Sequence, residues 1–249
     1  MTMKELEGKV ALITGSTQGI GKGIAHVLAE KGADVILNSH VEPDVVSLLS
    51  EFEKYEVSVQ FIKADVSDES QVKLLFQTIE KEFGKLDILV NNAGTSQAKD
   101  IFEVELSDWD RIINTNLTSC FLCCKAAMSM MKVAGAGRIV NISSVVAHRG
   151  AQFGHLHYAA TKSGMIGITK TLAKTGAPLG ILVNAVAPGI IETELLLKTH
   201  QGEKLKELAA AVPLGLGKVR SVGLAVAFLC GEGGDYITGT VLDVNGGMY

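Results

Sequence analysis

Two hydrophobic periods alternate along this chain. Short, nearly continuous apolar runs predict strands at Val10–Thr14, Asp34–Asn38, Val59–Lys63, Ile88–Asn91, Arg138–Ser143, Leu182–Ala187 and Val241–Val244. Between them, apolar residues return at helical spacing over Ile20–Lys31, Asp44–Tyr55, Ser70–Phe83, Asp108–Met131, Tyr158–Ala173 and Val222–Leu229. In Ser70–Phe83 the face is marked by Val72, Leu75, Phe76 and Ile79. Strands apolar on both sides, separated by helices, imply a mostly parallel seven-stranded sheet covered on both faces and wound in right-handed βαβ units. The expected fold class is therefore α/β, doubly wound. No internal repeat, low-complexity segment or linker divides the 249 residues, so a single domain over 1–249 is the economical reading. Only 189–217 is long and irregular, with a helical patch near Glu203–Ala211 between Pro-Gly and Pro-Leu-Gly turns. Its expected place is a substrate lid at the carboxyl edge of the sheet.

Composition narrows the partners. The net charge is −4 and the 23 Lys and Arg residues are scattered, so there is no electrostatic footprint for nucleic acid. The first residues are charged and then only briefly apolar, unlike a signal peptide, and no run approaches the roughly 18 apolar residues of a spanning helix. A cytoplasmic protein without a membrane partner is expected. Cys120, Cys123, Cys124 and Cys230 sit in apolar, helix-like surroundings. Three of them fall within five residues, a poor layout for disulfides, which points to buried free thiols; a CxxC metal half-site lacks a second Cys or His pair.

Chemistry enters first at the turn after Val10–Thr14. Gly15-Ser16-Thr17-Gln18-Gly19-Ile20-Gly21 has the spacing G-x3-G-x-G between a strand and a helix. Gly15 permits a tight turn, Gly19 lets backbone approach a pyrophosphate, and Gly21 lets the helix pack close to the sheet, as in a Rossmann-type dinucleotide site. The helix N-terminus adds free N–H groups for the phosphates. At the end of the second strand, where an adenosine ribose belongs, stand Asn38, Ser39 and His40. They include no carboxylate to repel a 2′-phosphate and no Arg or Lys to bind one; Ser39 and His40 can hydrogen-bond it, so the lean is to NADP(H) over NAD(H). Asp65 either accepts from the adenine amino group or caps the following helix. Asn92, Ala93 and Gly94 follow the fourth strand at the same edge, small enough to admit cofactor, with amides able to hold neighbouring backbone.

Tyr158 and Lys162 stand at i and i+4, on one helix face. A Lys⁺ beside a phenol favours the phenolate and tunes the Tyr towards proton exchange near neutral pH. Ser143 and Ser144 end the fifth strand, and one of them can hold a substrate oxygen beside the Tyr. Asn116 is a mediocre helix former within Asp108–Met131, suited to bind water or backbone there. His155 and His157 spell an HxH pair, but without a third ligand they read as active-site rim residues. Each of these alone is as compatible with a solvated helix face or a cap; together, in one α/β frame, they point to a proton-transfer site.

The ordered set TGSTQGIG, Asp65-Val66, NNAG, NTNL, NISS, YAATK, VNAVAPG and YITGTVLDVNGG, from about Gly8 to Tyr249, resembles the short-chain dehydrogenase/reductase family in its shorter form. The resemblance implies a catalytic quartet of Asn116, Ser144, Tyr158 and Lys162. Tyr158 gives a proton to a carbonyl oxygen as hydride leaves the nicotinamide; Ser144 polarises that oxygen; Lys162 binds the nicotinamide ribose; Asn116 holds a water. It also implies cofactor contacts from Val66, from Pro188 and Gly189 over the nicotinamide, and from Ile191 and Thr193. A homotetramer acting on a small carbonyl or secondary alcohol follows. The closest pattern is that of the 3-oxoacyl-(acyl-carrier-protein) reductases, which makes an acyl carrier protein the alternative partner. Those enzymes often carry Arg where Gln18 stands, and dock the acidic carrier through basic residues near two helix ends; here Met131–Gly135 keeps one Lys and Ala177–Gly180 none. A dinucleotide-binding scaffold that has lost catalysis is the alternative of another class.

Overall fold

The first apolar run, Val10–Ile13 (β1), is buried along its whole length in the computed structural model, which describes residues 4–151 and 154–249. Met1–Met3, at the head of the segment read above for a signal peptide, lie outside the described residues. After β1 come α1 (Gly19–Glu30), β2 (Asp34–Ser39), α2 (Val45–Ser50), β3 (Val59–Lys63), α3 (Glu69–Phe83), β4 (Ile88–Asn91) and α4 (Leu106–Ile113). Then follow α5 (Ser119–Ala134), β5 (Gly137–Ile142), α6 (Val146–Arg149), α7 (Leu156–Gly176), β6 (Ile181–Pro188) and β7 (Ile191–Glu192). The chain finishes with α8 (Glu194–Thr199), α9 (Gly202–Ala210), β8 (Gly217–Lys218), α10 (Val219–Cys230) and β9 (Val241–Val244).

The main sheet has seven parallel strands in the order β3-β2-β1-β4-β5-β6-β9. β1 lies between β2 and β4, so strand order reverses there and leaves a crevice at the carboxyl edge. One core, under α1 and α10, gathers Ile24, Leu28, Val222 and Val226 against β1 and β2. The other, under α3, α5 and α7, gathers Leu75, Ile79, Cys123, Ala127 and Met165. All four cysteines are free and buried.

Four expectations change. The helix predicted at Asp44–Tyr55 closes at Ser50, because the chain turns to lay Phe52 flat on His26 at 4.1 Å; this tertiary stacking outweighs local periodicity. The helix predicted at Asp108–Met131 contains a wider turn, a π-helical segment at Asn114–Thr118. The whole stretch Leu106–Ala134 is also long and apolar enough to cross a membrane by length and composition, contrary to the expectation. That expectation counted unbroken apolar residues, whereas this helix interleaves charges such as Asp110 and Lys125 with apolar ones. Ile112, Leu122, Ala127 and Met131 are among its buried residues. Finally, 189–217 is less irregular than its composition suggests. β7 pairs with β8 at its base, and α8 and α9 lie between them.

Candidate active site

The glycine turn is built by packing as much as by φ angles. Gly15 has φ +62°, and a Cβ there would sit 2.8 Å from Ala93 Cα. A Cβ on Gly21 would collide with Asn92 Nδ2 and lie 2.5 Å from Gly15 O. The turn after β1 is thereby pressed onto the loop after β4. Asn92 Nδ2 donates to Thr14 O and Gly15 O, each at 2.9 Å, while the Thr14 hydroxyl accepts from Asn92 and Ala93 N–H, each at 3.0 Å. Thr14 opens the TGSTQGIG motif, and its partners across the sheet show the part it plays there. Gly21→Ala is expected to destabilise the fold by about 1–3 kcal/mol, since both neighbours must move. It should also weaken dinucleotide binding. Thermal unfolding with and without dinucleotide checks this, and an unchanged midpoint in both would contradict it.

A cavity of about 580 Å³ runs along the crevice. On the β2–β3 side it is lined by Gly15, Thr17, Gln18, Gly19, Ile20 and Gly21, with Ser39, His40, Asp65 and Val66. On the β5–β6 side it is lined by Ser144, Tyr158, Lys162, Pro188, Gly189 and Thr193. The N-terminus of α1 has no side-chain cap and no acid in its first turn, which suits it to a phosphate group. The glycine cradle, this uncapped terminus and the length of the cleft fit a dinucleotide.

Some sequence-predicted residues lie elsewhere. Ser16 is fully buried, and its hydroxyl donates to Ile13 O at 2.7 Å. It holds the turn and does not line the cavity. The side chain of Ile191 packs into the α1/α10 core, so any cofactor contact from Ile191 must come from its backbone N–H. Asn38 borders the cavity, but its amide donates to Ile62 O and Ala64 O, both at 3.1 Å, so Ser39 and His40 are left to face a ribose. Asp65 closes the turn before α3 by accepting from Ser67 N–H and Oγ–H, at 2.9 and 2.7 Å; the helix itself is capped by Asp68.

At the other end, the choice between the two serines resolves. Ser143 Oγ donates to Lys162 O at 2.8 Å and is spent on holding α7 to β5. Ser144 lines the cavity together with Tyr158, and its Oγ accepts from Val146 N–H at 3.3 Å. Lys162 is 4% exposed; its Nζ donates to Ile142 O at 2.7 Å and lies 5.6 Å from the centre of the Tyr158 ring. Burial lowers its pKa to about 8. The expectation that Lys162 depresses the Tyr158 pKa does not hold here: burial raises it, against the lowering effect of the nearby Ser144 hydroxyl. Lys162 itself is held by a backbone carbonyl, and the low-dielectric site penalises phenolate more than the ammonium favours it.

Asn116 lies fully buried in the π-helical turn. Its Oδ1 accepts from Thr95 N–H at 2.8 Å, and its Nδ2 donates to Thr95 O at 2.9 Å and Thr161 Oγ1 at 3.2 Å. It ties the loop after β4 to the helix turn between Tyr158 and Lys162, and is not among the cavity-lining residues. Thr95 and Ser96 line the cavity, though nothing in their local sequence marked them; Leu195, within the expected lid, lines it too. His157, read as a rim residue, is instead fully buried.

With this geometry in view, the chain can be set beside known proteins. The profile of a family described as enoyl-(acyl carrier protein) reductase matches residues 15–249. The 3-oxoacyl-(acyl-carrier-protein) reductase of Aquifex aeolicus is 42% identical over 98% of this chain and 99% of its own length. That of Escherichia coli K12 is 41% identical, covering 98% of each chain. A solved short-chain type dehydrogenase/reductase from Mycobacterium marinum superposes with a TM-score of 0.93 at 30% identity, over 99% of this chain and 97% of that one.

Proposed function

The chain belongs to the short-chain dehydrogenase/reductase family and is an NAD(P)-dependent oxidoreductase; within that family, we propose that it reduces the ketone of a 3-oxoacyl thioester to a secondary alcohol, with NADPH as reductant. One observation carries the chemistry: Ser144, Tyr158 and Lys162 line the same cavity as the glycine turn. The near-full-length identity to two 3-oxoacyl reductases supports the substrate class.

Bound nicotinamide supplies the hydride. Everything else falls to the chain. Ser144 and Tyr158 present hydroxyls to the ketone oxygen, and Tyr158 passes its proton to that oxygen as negative charge grows there. Burial keeps the phenol protonated until that moment. Lys162 binds the nicotinamide ribose and stabilises the phenolate left behind. Asn116 fixes Thr95 and Thr161, on either side of the site. The segment 189–217 closes over the substrate, with Leu195 as its apolar contact. Ser39 and His40 hold the ribose 2′-phosphate. Within the same reading the protein is a cytoplasmic homotetramer, for which the exposed Phe121, Leu224, Phe228 and Tyr236 supply apolar contact surface.

A second reading concerns the carrier. Met131–Gly135 and Ala177–Gly180 hold a single cation, Lys132. This favours substrates recognised by the acyl and thioester groups, without steering by an acidic carrier protein. NADPH oxidation at 340 nm should therefore proceed with a 3-oxoacyl group on pantetheine about as well as on the carrier, within roughly tenfold in kcat/KM. Turnover of simple ketones with none on any thioester would overturn the substrate class. Dinucleotide binding without turnover on any of them would instead leave a silent scaffold. NADPH should bind more tightly than NADH, and the reverse order would remove the assignment of Ser39 and His40.

A further inference from the structure

Beyond the cavity wall at Thr95 and Ser96, the loop between β4 and α4 turns Gln97 towards the first turn of α7. There it meets His157, the residue before Tyr158: His157 Nε2 is 3.1 Å from Gln97 Oε1. The orientation of the Gln97 amide is settled from two sides. Asp108 Oδ1 accepts from Gln97 Nε2 at 2.9 Å, and Arg111 Nη2 donates to Gln97 Oε1 at 2.8 Å. A carboxylate only accepts and a guanidinium only donates, so Oε1 is the atom facing His157. His157 must then donate from Nε2, which leaves Nδ1 as the bare nitrogen. That Nδ1 is buried without a hydrogen-bond partner among the described residues. Protonating it would bury an unsatisfied N–H and place a cation near Arg111 and Lys99, with Asp108 already bonded to Lys99 and Gln97. Burial accordingly lowers the His157 pKa. A second strut runs alongside. Lys99 Nζ donates to Asp108 Oδ2 at 2.6 Å, and Lys99 N–H to Gly154 O at 2.7 Å, just ahead of α7.

We propose that Gln97 is a positioning residue which, through a neutral His157, sets the distance between the Thr95–Ser96 wall of the substrate site and the Tyr158 hydroxyl. This rests on Tyr158 being the proton donor. The wall and the donor belong to segments 60 residues apart, and without the clamp each would follow its own loop or helix end.

The test compares Gln97→Ala, His157→Phe and His157→Gln with the wild-type chain. His157→Phe keeps the ring and loses the donor, whereas His157→Gln restores an N–H at similar reach. Gln97→Ala and His157→Phe should lower kcat/KM for the ketone by about 10–100-fold, the cost of a misplacement near 1 Å. The dinucleotide dissociation constant should stay at its wild-type value. His157→Gln should recover most of the loss. A merely structural role would lower the unfolding midpoint and weaken dinucleotide and ketone together, with no rescue by Gln. Imidazole 15N shifts of the wild-type chain give a readout free of turnover: the proton on Nε2, with titration only below the ordinary imidazole range. Wild-type kcat/KM in Gln97→Ala, or a proton on Nδ1, overturns the clamp. If Tyr158→Phe keeps the wild-type rate, it is the proton-donor reading that fails, and the nitrogen shifts still decide the clamp.

Discussion

Tyr158→Phe should lower ketone reduction about a thousandfold while leaving fold and dinucleotide affinity nearly unchanged. A positioned acid contributes roughly 10²–10⁴-fold, and the substitution removes only that acid. The ring stays in place and only the hydroxyl is removed; even a lost hydrogen bond there would cost only about 1 kcal/mol. The raised phenol pKa sharpens the expectation. A group whose acid form persists above its ordinary value of about 10 stays protonated throughout the neutral range, so reduction needs no prior protonation event at Tyr158 there. Stopped-flow or steady-state loss of 340 nm absorbance, with a dinucleotide titration on the same sample, separates the two effects. Retention of the wild-type rate would remove Tyr158 from the mechanism.

Lys162→Met has a less intuitive outcome: activity is lost and the ligand-free protein becomes more stable. Lys162 is almost wholly buried, its Nζ is held by the Ile142 carbonyl, and its pKa falls to about 8. An unfolded lysine titrates near 10.4, so between about 8 and 10.4 the unfolded chain binds more protons than the folded one and stability rises with pH. Below about 8 the whole penalty of a buried ammonium is present, on the order of 3 kcal/mol at 1.36 kcal/mol per unit. Met occupies similar space without charge; the lost bond to Ile142 O returns about 1 kcal/mol of that. The net gain near pH 7 is about 2 kcal/mol, a midpoint roughly 4–8 °C higher for a domain of this size. Scanning calorimetry of both proteins at pH 7 and pH 10 tests the sign, because the advantage of the Lys162→Met variant must shrink as the pH rises. A lower midpoint for the variant at pH 7 would show that Lys162 stabilises the fold as well as serving the reaction. The same pair of proteins should part in the opposite sense with dinucleotide added, since the wild type gains a bound ligand that the variant holds poorly.

The sheet was legible because its signal is local. Val59–Lys63, Ile88–Asn91 and Val241–Val244 have the predicted bounds, and Val72, Leu75, Phe76 and Ile79 are the buried residues of α3. A strand covered on both faces must be apolar at every position, and an amphipathic helix must repeat its apolar residues about every 3.6. Such rules need no knowledge of partners. The glycine turn was legible for a similar reason, since a backbone with φ near +60° excludes most side chains at Gly15. Tyr158 and Lys162 could be paired from their spacing alone, as neighbours on one helix face.

What the chain could not declare were the outcomes of encounters between distant segments. Ser143 and Ser144 are equivalent as sequence; the carbonyl of Lys162 claims the hydroxyl of Ser143, which leaves that of Ser144 in the cavity beside Tyr158. Asn38 stands where a ribose belongs, yet two carbonyls of the β3 end draw its amide inward. His157 looked like a rim residue until Gln97, 60 positions away, accepted the hydrogen bond from its Nε2. The Tyr158 pKa moved opposite to the direction that the neighbouring Lys suggested, because burial is a property of the whole packed site. Sequence by itself determined the seven strands of the main sheet, the dinucleotide turn and the placement of Tyr158 and Lys162 on one helix face, all of which follow from period, backbone sterics and short spacing. Only the tertiary structure decided hydroxyl choice, amide orientation, tautomer and charge state, because each depends on which single donor or acceptor arrives within about 3 Å from elsewhere in the chain.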